Sequence, residues 1–400
     1  MRRGREPHGD GPGALARALG VTRVARLTGL DRTGVEVASA IRPLGHVLQV
    51  TNGKGVRFED AARGALLEAA ELFAVERPAC EAWGRATELA RRHGEEAVLS
   101  PRALDGVADP SREEVRLAWR SGVELSSGRS VLVPACAVYV PPPGAAPLGP
   151  ALVRWTSNGM GAAFRREDAL LHALLEAVER DHLARALPEG FTQEEVAARL
   201  VDPRSLARAA PRAAALAAAI ERRGFGVYLL DVSSPASSGH PERGAAAPAG
   251  ARRRRASTRN PTAATGLPCA AALVVDHELG PVPVSAGYAC RLRRDAALVA
   301  ALLEAAQSRA TEIHGAREDV ALGDRHAARS VARVCAGLSP RRDAGRMPDP
   351  SAGPRGGAAA VAGRLRRAGH RRAVAVDLEG PPGVSVVKVL VPGLLLSELL

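Results

Sequence analysis

One short pattern occurs three times in this chain of 400 residues. The core string A-L-L-E-A-x-[EQ] lies in GALLEAAE at 64–71, HALLEAVE at 172–179 and AALLEAAQ at 300–307. The copies are 108 and 128 residues apart, which is too long and too unequal for a solenoid. We interpret the pattern as one helical element used three times within a larger domain.

Each copy carries two polar side chains three residues apart, which on an α-helix lie about 60° apart and share a face. The pairs are Glu68 with Glu71, Glu176 with Glu179, and Glu304 with Gln307. Their neighbours are almost all Ala, Leu and Val, and helices this apolar are usually buried. Buried carboxylates need a partner, because an uncompensated buried charge is strongly destabilising.

Taken singly, each copy is also compatible with the solvated face of an ordinary helix, since Ala, Leu and Glu are good helix formers. Three near-identical copies favour a functional site. Magnesium prefers oxygen ligands and is typically held by a few carboxylates together with nucleotide phosphates. Five glutamates are more than one ion needs, so the pattern predicts a cluster of magnesium ions bridging a triphosphate.

Helical and extended segments alternate along the chain. Helices are predicted over residues 12–27 and from Phe58 to about Glu76. Strands are predicted for five apolar runs bounded by Gly, Pro or Ser. These runs are HVLQVTNGKGV, SVLVPACAVYV, GFGVYLLDVSS, LPCAAALVVD and VSVVKVLVPG. The predicted class is α+β, or mixed α/β, with mixed sheets.

We expect residues 1–14 to be a flexible N-terminus and residues 15–400 to form one large domain. Two stretches, 234–265 and 339–358, are rich in Ala, Gly, Pro and Arg without helical or strand periodicity, which is typical of disordered loops. Four consecutive arginines at 252–255 could touch an anionic partner, but a solvated loop is the favoured interpretation.

The formal net charge of +12 raises nucleic acid or an anionic membrane as a partner. Of the 55 basic residues, however, only Lys54 and Lys388 are lysine. Codon bias in a GC-rich genome produces such an imbalance whatever the partner is, so the charge is weak evidence for nucleic-acid binding.

The cysteines and the apolar runs restrict the class further. Five scattered cysteines without a C-x-x-C pair argue against a disulfide scaffold and a structural zinc site. The N-terminus has no apolar signal region, and no run of about 18 apolar residues follows. We expect a soluble, cytoplasmic protein without a membrane anchor.

The motifs resemble those of the YcaO family. The segment WTSNGMGAAFRREDALLHALLEAVERDHLARA, which begins at Trp155, is similar to the central family signature, where T/S-N-G-x-A-A-G leads into a helix ending E-x-x-E-R-D. TGLDRTGVEVASAIRP with the following GKG resembles the first family block, LLEAAQSRATEIHGARED the third and VVKVLVPGL the last strand. The resemblance covers roughly residues 15–395 apart from the two loops.

The resemblance implies an ATP- and magnesium-dependent enzyme that acts on a peptide backbone. In that family a nucleophile adds to an amide carbonyl and ATP phosphorylates the amide oxygen, which then leaves as phosphate. A Cys, Ser or Thr side chain as nucleophile gives an azoline ring, and external sulfide gives a thioamide. The step is chemically reasonable, because an amide oxygen leaves poorly until it is phosphorylated.

The resemblance also assigns site residues. The implied magnesium ligands are Glu68, Glu71, Glu176, Glu179 and Glu304. The implied nucleotide-binding residues are these five with Lys54, His172, Arg180, Gln307 and Arg309. Asp181 could pair with Arg180 or with phosphate. No catalytic nucleophile or base is assigned.

Three places depart from the family pattern. Gly64 stands where Ser is common, Ala300 stands where Arg is usual, and the block before the third helix reads GYACRLRRD where G-x-x-x-H-x-D-P is common. The chain also lacks the Pro-x-Pro-x-Pro ending of many azoline-forming members. Its opening GLDR and its AAQSRATEIHGARED block look more like members that work with a TfuA partner in thioamide formation. We therefore expect backbone thioamidation of a ribosomally made peptide or protein, a TfuA-like sulfur-delivery partner and a homodimer. The alternatives are azoline formation and a catalytically impaired protein that binds peptide for a partner.

Overall fold

A computed structural model of the protein describes residues 12–105, 109–233, 264–278, 280–319, 325–340, 342–350 and 357–395. The helices within these ranges are α1 Pro12–Leu19, α2 Phe58–Val75, α3 Ala86–His93, α4 Pro101–Asp105, α5 Arg166–Ala186, α6 Gln193–Arg199, α7 Pro203–Ala209, α8 Pro211–Glu221, α9 Arg294–His314, α10 Arg325–Ala336 and α11 Ala358–Arg367. The strands are β1 Arg23–Arg26, β2 Glu36–Ile41, β3 Val50–Gly55, β4 Ala82–Gly84, β5 Leu117–Glu124, β6 Ser130–Pro134, β7 Met160–Ala163, β8 Phe225–Asp231, β9 Cys269–Asp276, β10 Val284–Cys290, β11 Val374–Leu378 and β12 Ser385–Leu390.

The strands form three antiparallel sheets within the described residues. Their orders are β1-β2-β3, β10-β9-β8 and β4-β5-β11-β12-β7, with β6 paired to β5. The strands β3, β7 and β10 each stand at an edge of their sheet. Each of these edge strands leads through a short turn into one of the three helices that carry the repeated pattern, α2, α5 or α9.

Each edge strand packs directly on its own helix because a glycine faces the helix backbone. A Cβ atom at Gly53 would lie 2.0 Å from the carbonyl oxygen of Ala61 in α2. At Gly161 it would lie 2.2 Å from the carbonyl oxygen of Ala169 in α5, and at Gly287 2.1 Å from the nitrogen of Ala305 in α9. The alanine-rich helices therefore serve a steric purpose, since small residues on both elements allow this close approach.

Each of the three helices contributes residues to a separate apolar core. Helix α2 contributes Ala65, Leu66 and Ala69 to one cluster of buried residues, which also includes Val374 and Val376 of β11. Helices α5 and α9 contribute to two further clusters with residues of the β8-β9-β10 sheet. The α+β class is confirmed, and the repeated segments are buried helices as predicted.

Two local predictions differ from the structure. The helix predicted over 12–27 ends at Leu19, and Arg23–Arg26 is a strand paired with β2. Gly20, with φ 71°, breaks the helix, and pairing with β2 satisfies the backbone groups that follow. The strand predicted for SVLVPACAVYV ends at Pro134, where a 3₁₀ turn over Ala135–Ala137 begins.

The predicted flexible N-terminus, 1–14, and the first predicted loop, 234–265, lie mostly outside the described residues, which omit 1–11 and 234–263. The second predicted loop, 339–358, lies partly outside them, since 351–356 are also omitted. Within the second loop, residues 342–350 pack against α9, and the side chains of Ala344 and Met347 are buried there. Arg294 donates to the carbonyl oxygens of Gly345 and Met347, at 3.1 and 2.8 Å. This stretch is held by contacts that its composition does not reveal. No helix among the described residues is long and apolar enough to span a membrane.

Candidate functional site

The carboxylates of the repeated pattern meet where the edges of the three sheets converge. Glu68 of α2 accepts a hydrogen bond from the backbone N–H of Asn52 in β3, at 2.9 Å. Glu304 of α9 accepts one from the N–H of Tyr288 in β10, at 3.4 Å. In both units the first glutamate of the pair thus binds the edge strand that precedes its own helix.

The remaining contacts join each unit to the next one. Glu179 of α5 accepts from the N–H of Cys290 in β10, at 3.0 Å, and Glu71 of α2 lies at the backbone N–H of Ala162 in β7. Lys54 of β3 closes the cycle through an ion pair with Glu304 of α9, at 2.7 Å. The residues predicted as ligands are therefore also the residues that connect the three units.

Burial and mutual repulsion act strongly on two of these carboxylates. Burial raises the pKa of Glu176 to about 7, to which the neighbouring Glu179 and Glu304 contribute while Arg180 opposes them. The pKa of Glu71 lies well above its usual range, because of burial and the charges of Glu176 and Glu68. Both groups lack sufficient positive charge, which a bound cation would supply.

The other three glutamates are partly compensated. Burial raises the pKa of Glu68 and that of Glu179, although Arg317 and Arg180 respectively oppose the rise. Glu304 differs, because the ammonium of Lys54, together with Arg180 and Arg291, outweighs the effect of burial and lowers the pKa of this carboxyl. The pair from the third unit is thus electrostatically distinct from the pairs of α2 and α5.

Arg180 lies among the carboxylates. Its Nη2 atom is 3.7 Å from both Glu176 Oε1 and Glu179 Oε1. Asp181 instead accepts hydrogen bonds from Arg185 and from the backbone N–H of Leu395, each at 2.9 Å. The adjacent residues therefore have different partners: Arg180 contacts the cluster, and Asp181 holds the backbone of Leu395.

Arg309 lies elsewhere. Its Nε donates to Asp31 at 2.8 Å, its Nη2 to Asp276 at 2.9 Å and its Nη1 to the carbonyl oxygen of Val282. With all three guanidinium nitrogens bound to protein, the structure does not bring Arg309 to the glutamates. Five residues after Glu304 on the helix, it points to a different side of α9.

His172 and Gln307 flank the cluster on their helices. His172 is exposed and lies one turn before Glu176 on α5, and Gln307 is half-buried and lies one turn after Glu304 on α9. The main chain of Gln307 accepts from the hydroxyl of Thr311, at 2.8 Å, and that hydroxyl accepts from the Asn52 side-chain amide, at 2.7 Å. Gln307 is therefore held beside strand β3.

Two cationic side chains at the cluster, Arg317 and Lys388, were not predicted from the sequence. Arg317, just after α9, has Nη1 3.6 Å from Glu68 Oε1. Lys388 of β12 is 2% exposed, and its ammonium donates to the carbonyl oxygens of Thr156 and Asn158, each at 2.6 Å. Burial lowers the pKa of Lys388 to about 8, although the charges of Glu176 and Glu71 oppose this. The scarcity of lysine that draws attention to Lys54 was also a signal for Lys388.

The residues present fit a magnesium-nucleotide site in their donor chemistry. Carboxylate oxygens are the ligands magnesium prefers, and Lys54, Arg180 and Lys388 offer donors of the kind that phosphate oxygens accept. Within the described ranges, no three Asp, Glu, His or Cys side chains already form a group that could hold a metal ion. Magnesium usually keeps waters and takes substrate phosphates as ligands, so a closed protein cage is not required.

Comparison with known proteins identifies the family. The model for YcaO cyclodehydratases, described as ATP- and Mg2+-binding, matches residues 52–395. The chain belongs to the YcaO family. The predicted cofactors, ATP and Mg2+, are confirmed by this match, and all five glutamates of the repeated pattern lie within the matched residues.

Relatives with known sequence or structure agree with the family. A YcaO relative from Rhizobium leguminosarum bv. trifolii, described as an uncharacterized protein in the tfuA 3′ region, is 32% identical over 400 residues, covering 94% of this chain and 84% of its own. The structure of YcaO from Methanopyrus kandleri, bound with AMPPCP and Mg2+, has a TM-score of 0.65 at 21% identity and covers 95% of this chain and 88% of its own.

A heterocyclase in complex with substrate and cofactor also has a TM-score of 0.65, at 18% identity, and covers 99% of this chain and 54% of its own. These two structural likenesses concern the fold. Together with the family match, the comparisons support ATP-dependent peptide modification as the general class of function.

Proposed function

We propose that this YcaO protein uses ATP and Mg2+ to phosphorylate a backbone amide oxygen of a peptide or protein, and that sulfide replaces this oxygen to give a thioamide. Sulfide adds to the amide carbon, the oxygen takes the γ-phosphoryl group of ATP, and phosphate leaves as the C=S bond forms and a proton is lost. The atoms balance as one amide, one sulfide and one ATP converted to one thioamide, one phosphate and one ADP.

The observation that most supports binding of magnesium and ATP is the excess of negative charge where β3, β7 and β10 converge. Burial raises the pKa of both Glu71 and Glu176, and a neighbouring carboxylate raises it further in each case, Glu176 for Glu71 and Glu179 for Glu176. A purely structural network would leave no such excess, because buried like charges without a cation destabilise the fold. A bound divalent ion would remove the repulsion.

In this proposal each group of residues has a defined role. The magnesium ligands are Glu68, Glu71, Glu176, Glu179 and Glu304, and the nucleotide contacts are Lys54, His172, Arg180 and Gln307. Lys388 and Arg317, which the structure adds, supply fixed positive charge beside them. Bound Mg2+ supplies charge neutralisation at the transferring phosphoryl group. Arg309 is not among the proposed nucleotide contacts, because its guanidinium binds protein acceptors away from the glutamates.

The choice of sulfide is supported by the relative in the tfuA 3′ region, which matches this chain over most of both lengths. We propose a TfuA-like protein as the sulfur-delivery partner. Homodimerisation and a cytoplasmic location stay predictions that size measurements and cell fractionation would test.

Azoline formation is the second candidate. The family description as cyclodehydratase and the likeness of fold to a heterocyclase favour it. The same phosphorylated oxygen would then leave after attack by a Cys, Ser or Thr side chain of the peptide. The two reactions share the nucleotide site and differ only in the origin of the nucleophile.

One reaction separates these candidates. The purified protein is incubated with MgATP, sulfide and each short peptide encoded beside its gene, with and without the protein encoded next to it. Intact-mass analysis then reports replacement of one oxygen by sulfur for a thioamide, or loss of one water for an azoline.

Two controls complete the test. Glu176→Gln, which removes a proposed ligand, should abolish either product, whereas Glu88→Gln, which alters an exposed carboxylate on α3, should leave it intact. If peptides bind tightly but neither mass change nor ADP formation occurs with any partner, the chain is a peptide-binding protein and the proposed reaction is wrong.

A further inference from the structure

The only two lysines of this arginine-rich chain both lie at the glutamate cluster, but in different settings. Lys388 is fixed by two backbone carbonyl oxygens at 2.6 Å and stands over the Trp155 ring, 5.7 Å from its centroid. Moving this ammonium would leave buried polar groups unpaired, which is costly. Lys388 is therefore a permanent part of the site.

Lys54 is held less firmly. Its side chain is 24% exposed and that of its partner Glu304 is 22% exposed. The ammonium is a compact charge on four flexible methylene groups, and its contact with Glu304 is a single hydrogen bond, whereas the Lys388 ammonium donates two. The Lys54 ammonium can therefore leave its partner at a lower cost than Lys388 can.

We infer that Lys54 is an exchangeable counter-ion: it neutralises Glu304 while the site is free of metal, and it moves to a phosphate oxygen when magnesium and nucleotide bind together. This inference rests on the proposed function, because it assumes that Glu304 receives magnesium. It goes further by assigning Lys54 two partners and a coupling role, rather than nucleotide contact alone.

Lys54 and a magnesium ion would compete for the same carboxylate. Lys54 Nζ lies 2.7 Å from Glu304 Oε2, so a divalent cation at the same carboxylate would meet an adjacent positive charge. Magnesium alone must therefore displace Lys54 without giving it a new partner.

A nucleotide changes this balance, because its phosphate oxygens accept the displaced ammonium. Magnesium and nucleotide should then bind cooperatively, each raising the affinity for the other by the same factor. Coupling between two sites typically amounts to about 5- to 150-fold. Without Lys54 this contribution disappears, and the two ligands are affected in opposite directions.

The test is calorimetric titration of the full-length protein. Mg2+ alone is titrated first, and then a non-hydrolysable ATP analogue is titrated in the presence of saturating Mg2+. For Lys54→Met we expect Mg2+ alone to bind at least about 5-fold tighter than in the wild type, and the nucleotide analogue to bind more weakly. A role limited to nucleotide contact would weaken the analogue and leave Mg2+ binding unchanged.

Two further variants isolate the cause. Arg63→Met removes the same charge from the exposed Arg63–Asp60 pair on α2, so it should change neither affinity. Lys54→Arg keeps the positive charge and should retain the weak binding of Mg2+ alone. Thermal melting of each variant verifies that it is folded.

The outcomes separate the inference from the proposed function. If the wild type binds neither Mg2+ nor the analogue, the proposed function fails. If the wild type binds both, but Lys54→Met leaves Mg2+ affinity unchanged or lowers it, only the exchange role of Lys54 is overturned. The exchange role of Lys54 is supported only if Lys54→Met binds Mg2+ more tightly and the analogue more weakly, while Arg63→Met changes neither affinity.

Discussion

Two groups of charged side chains in this protein differ in how well their buried charges are matched. The first is the glutamate cluster of α2, α5 and α9. The second, the Arg309 network, consists of Asp31, Arg32, Asp276, Glu278 and Arg309. Arg309 is 3% exposed and binds protein acceptors through all three guanidinium nitrogens.

Aromatic contacts reinforce the second group. The guanidinium carbons of Arg32 and Arg309 lie 4.8 and 4.9 Å from the centroid of the Phe225 ring. Arg32 also donates to Asp276 and Glu278, each at 2.5 Å. The network joins the turn before β2 to β9 and α9. Its two buried carboxylates, Asp31 and Asp276, are matched by two arginines, whereas the third carboxylate, Glu278, is 70% exposed.

The glutamate cluster shows the opposite condition, since four of its five carboxylates have raised pKa values. The difference teaches that burial of charge alone does not identify a functional site. A matched network stabilises the fold, whereas a cluster with excess charge of one sign is suited to an external ligand.

The largest effect on stability should follow from Arg309→Met. The substitution leaves the buried carboxylate of Asp31 without its cation and Asp276 with Arg32 alone, so we expect the free energy of unfolding to fall by about 3 to 5 kcal/mol. Urea denaturation measures this. A loss below about 1 kcal/mol would show that the network does not hold the elements together.

Glu176→Gln should act in the opposite direction in the metal-free protein. Removing one of the repelling carboxylates should raise the free energy of unfolding at pH 8 by about 1 to 3 kcal/mol, given the rise of its pKa from 4.5 to about 7. Loss of one charged contact should weaken Mg2+-dependent nucleotide binding about 10- to 100-fold. If the variant is less stable, the cluster is a structural network like that of Arg309.

The pH dependence of that difference sharpens the comparison. A carboxyl whose folded pKa is raised contributes stability below its unfolded pKa and loses it as pH rises through the folded value. The stability of Glu176→Gln relative to the wild type should therefore increase between about pH 4.5 and 7 and level off above. Paired urea melts across this range measure it, and a difference independent of pH would contradict the raised pKa.

The smallest effect concerns packing near the cluster. A Cβ atom at Gly64 of α2 would lie 3.4 Å from the Cα atom of Gly53, which is tolerable. Gly64→Ala should raise the free energy of unfolding by about 0.5 to 1 kcal/mol through helix propensity. Gly53→Ala is the contrasting variant, because its Cβ would clash with the Ala61 carbonyl, and it should destabilise clearly.

The sequence predicted the local part of the fold well. Helix α2, predicted from Phe58 to about Glu76, runs over Phe58–Val75, because its apolar periodicity and its packing agree. The helix predicted over residues 12–27 was wrong beyond Leu19, because strand pairing with β2 overrides the helical spacing of the apolar residues. Local pattern could not reveal that Ala344 and Met347 are buried against α9.

The candidate site shows the same limit. The glutamate pairs could be predicted because each lies within one helix. Arg309 could not be placed, since its partner Asp31 is 278 residues away in the chain and no local signal connects them. Lys388 reaches the cluster only because β12 pairs with β7.

The central claim is that the convergent glutamates bind nucleotide through magnesium. Titration of a non-hydrolysable ATP analogue into the wild type, with Mg2+ and then with the metal chelated, tests it most directly. We predict binding with Mg2+ that is lost when the metal is removed and weakened in Glu176→Gln. Equal binding without the metal, or no binding with it, would contradict the account.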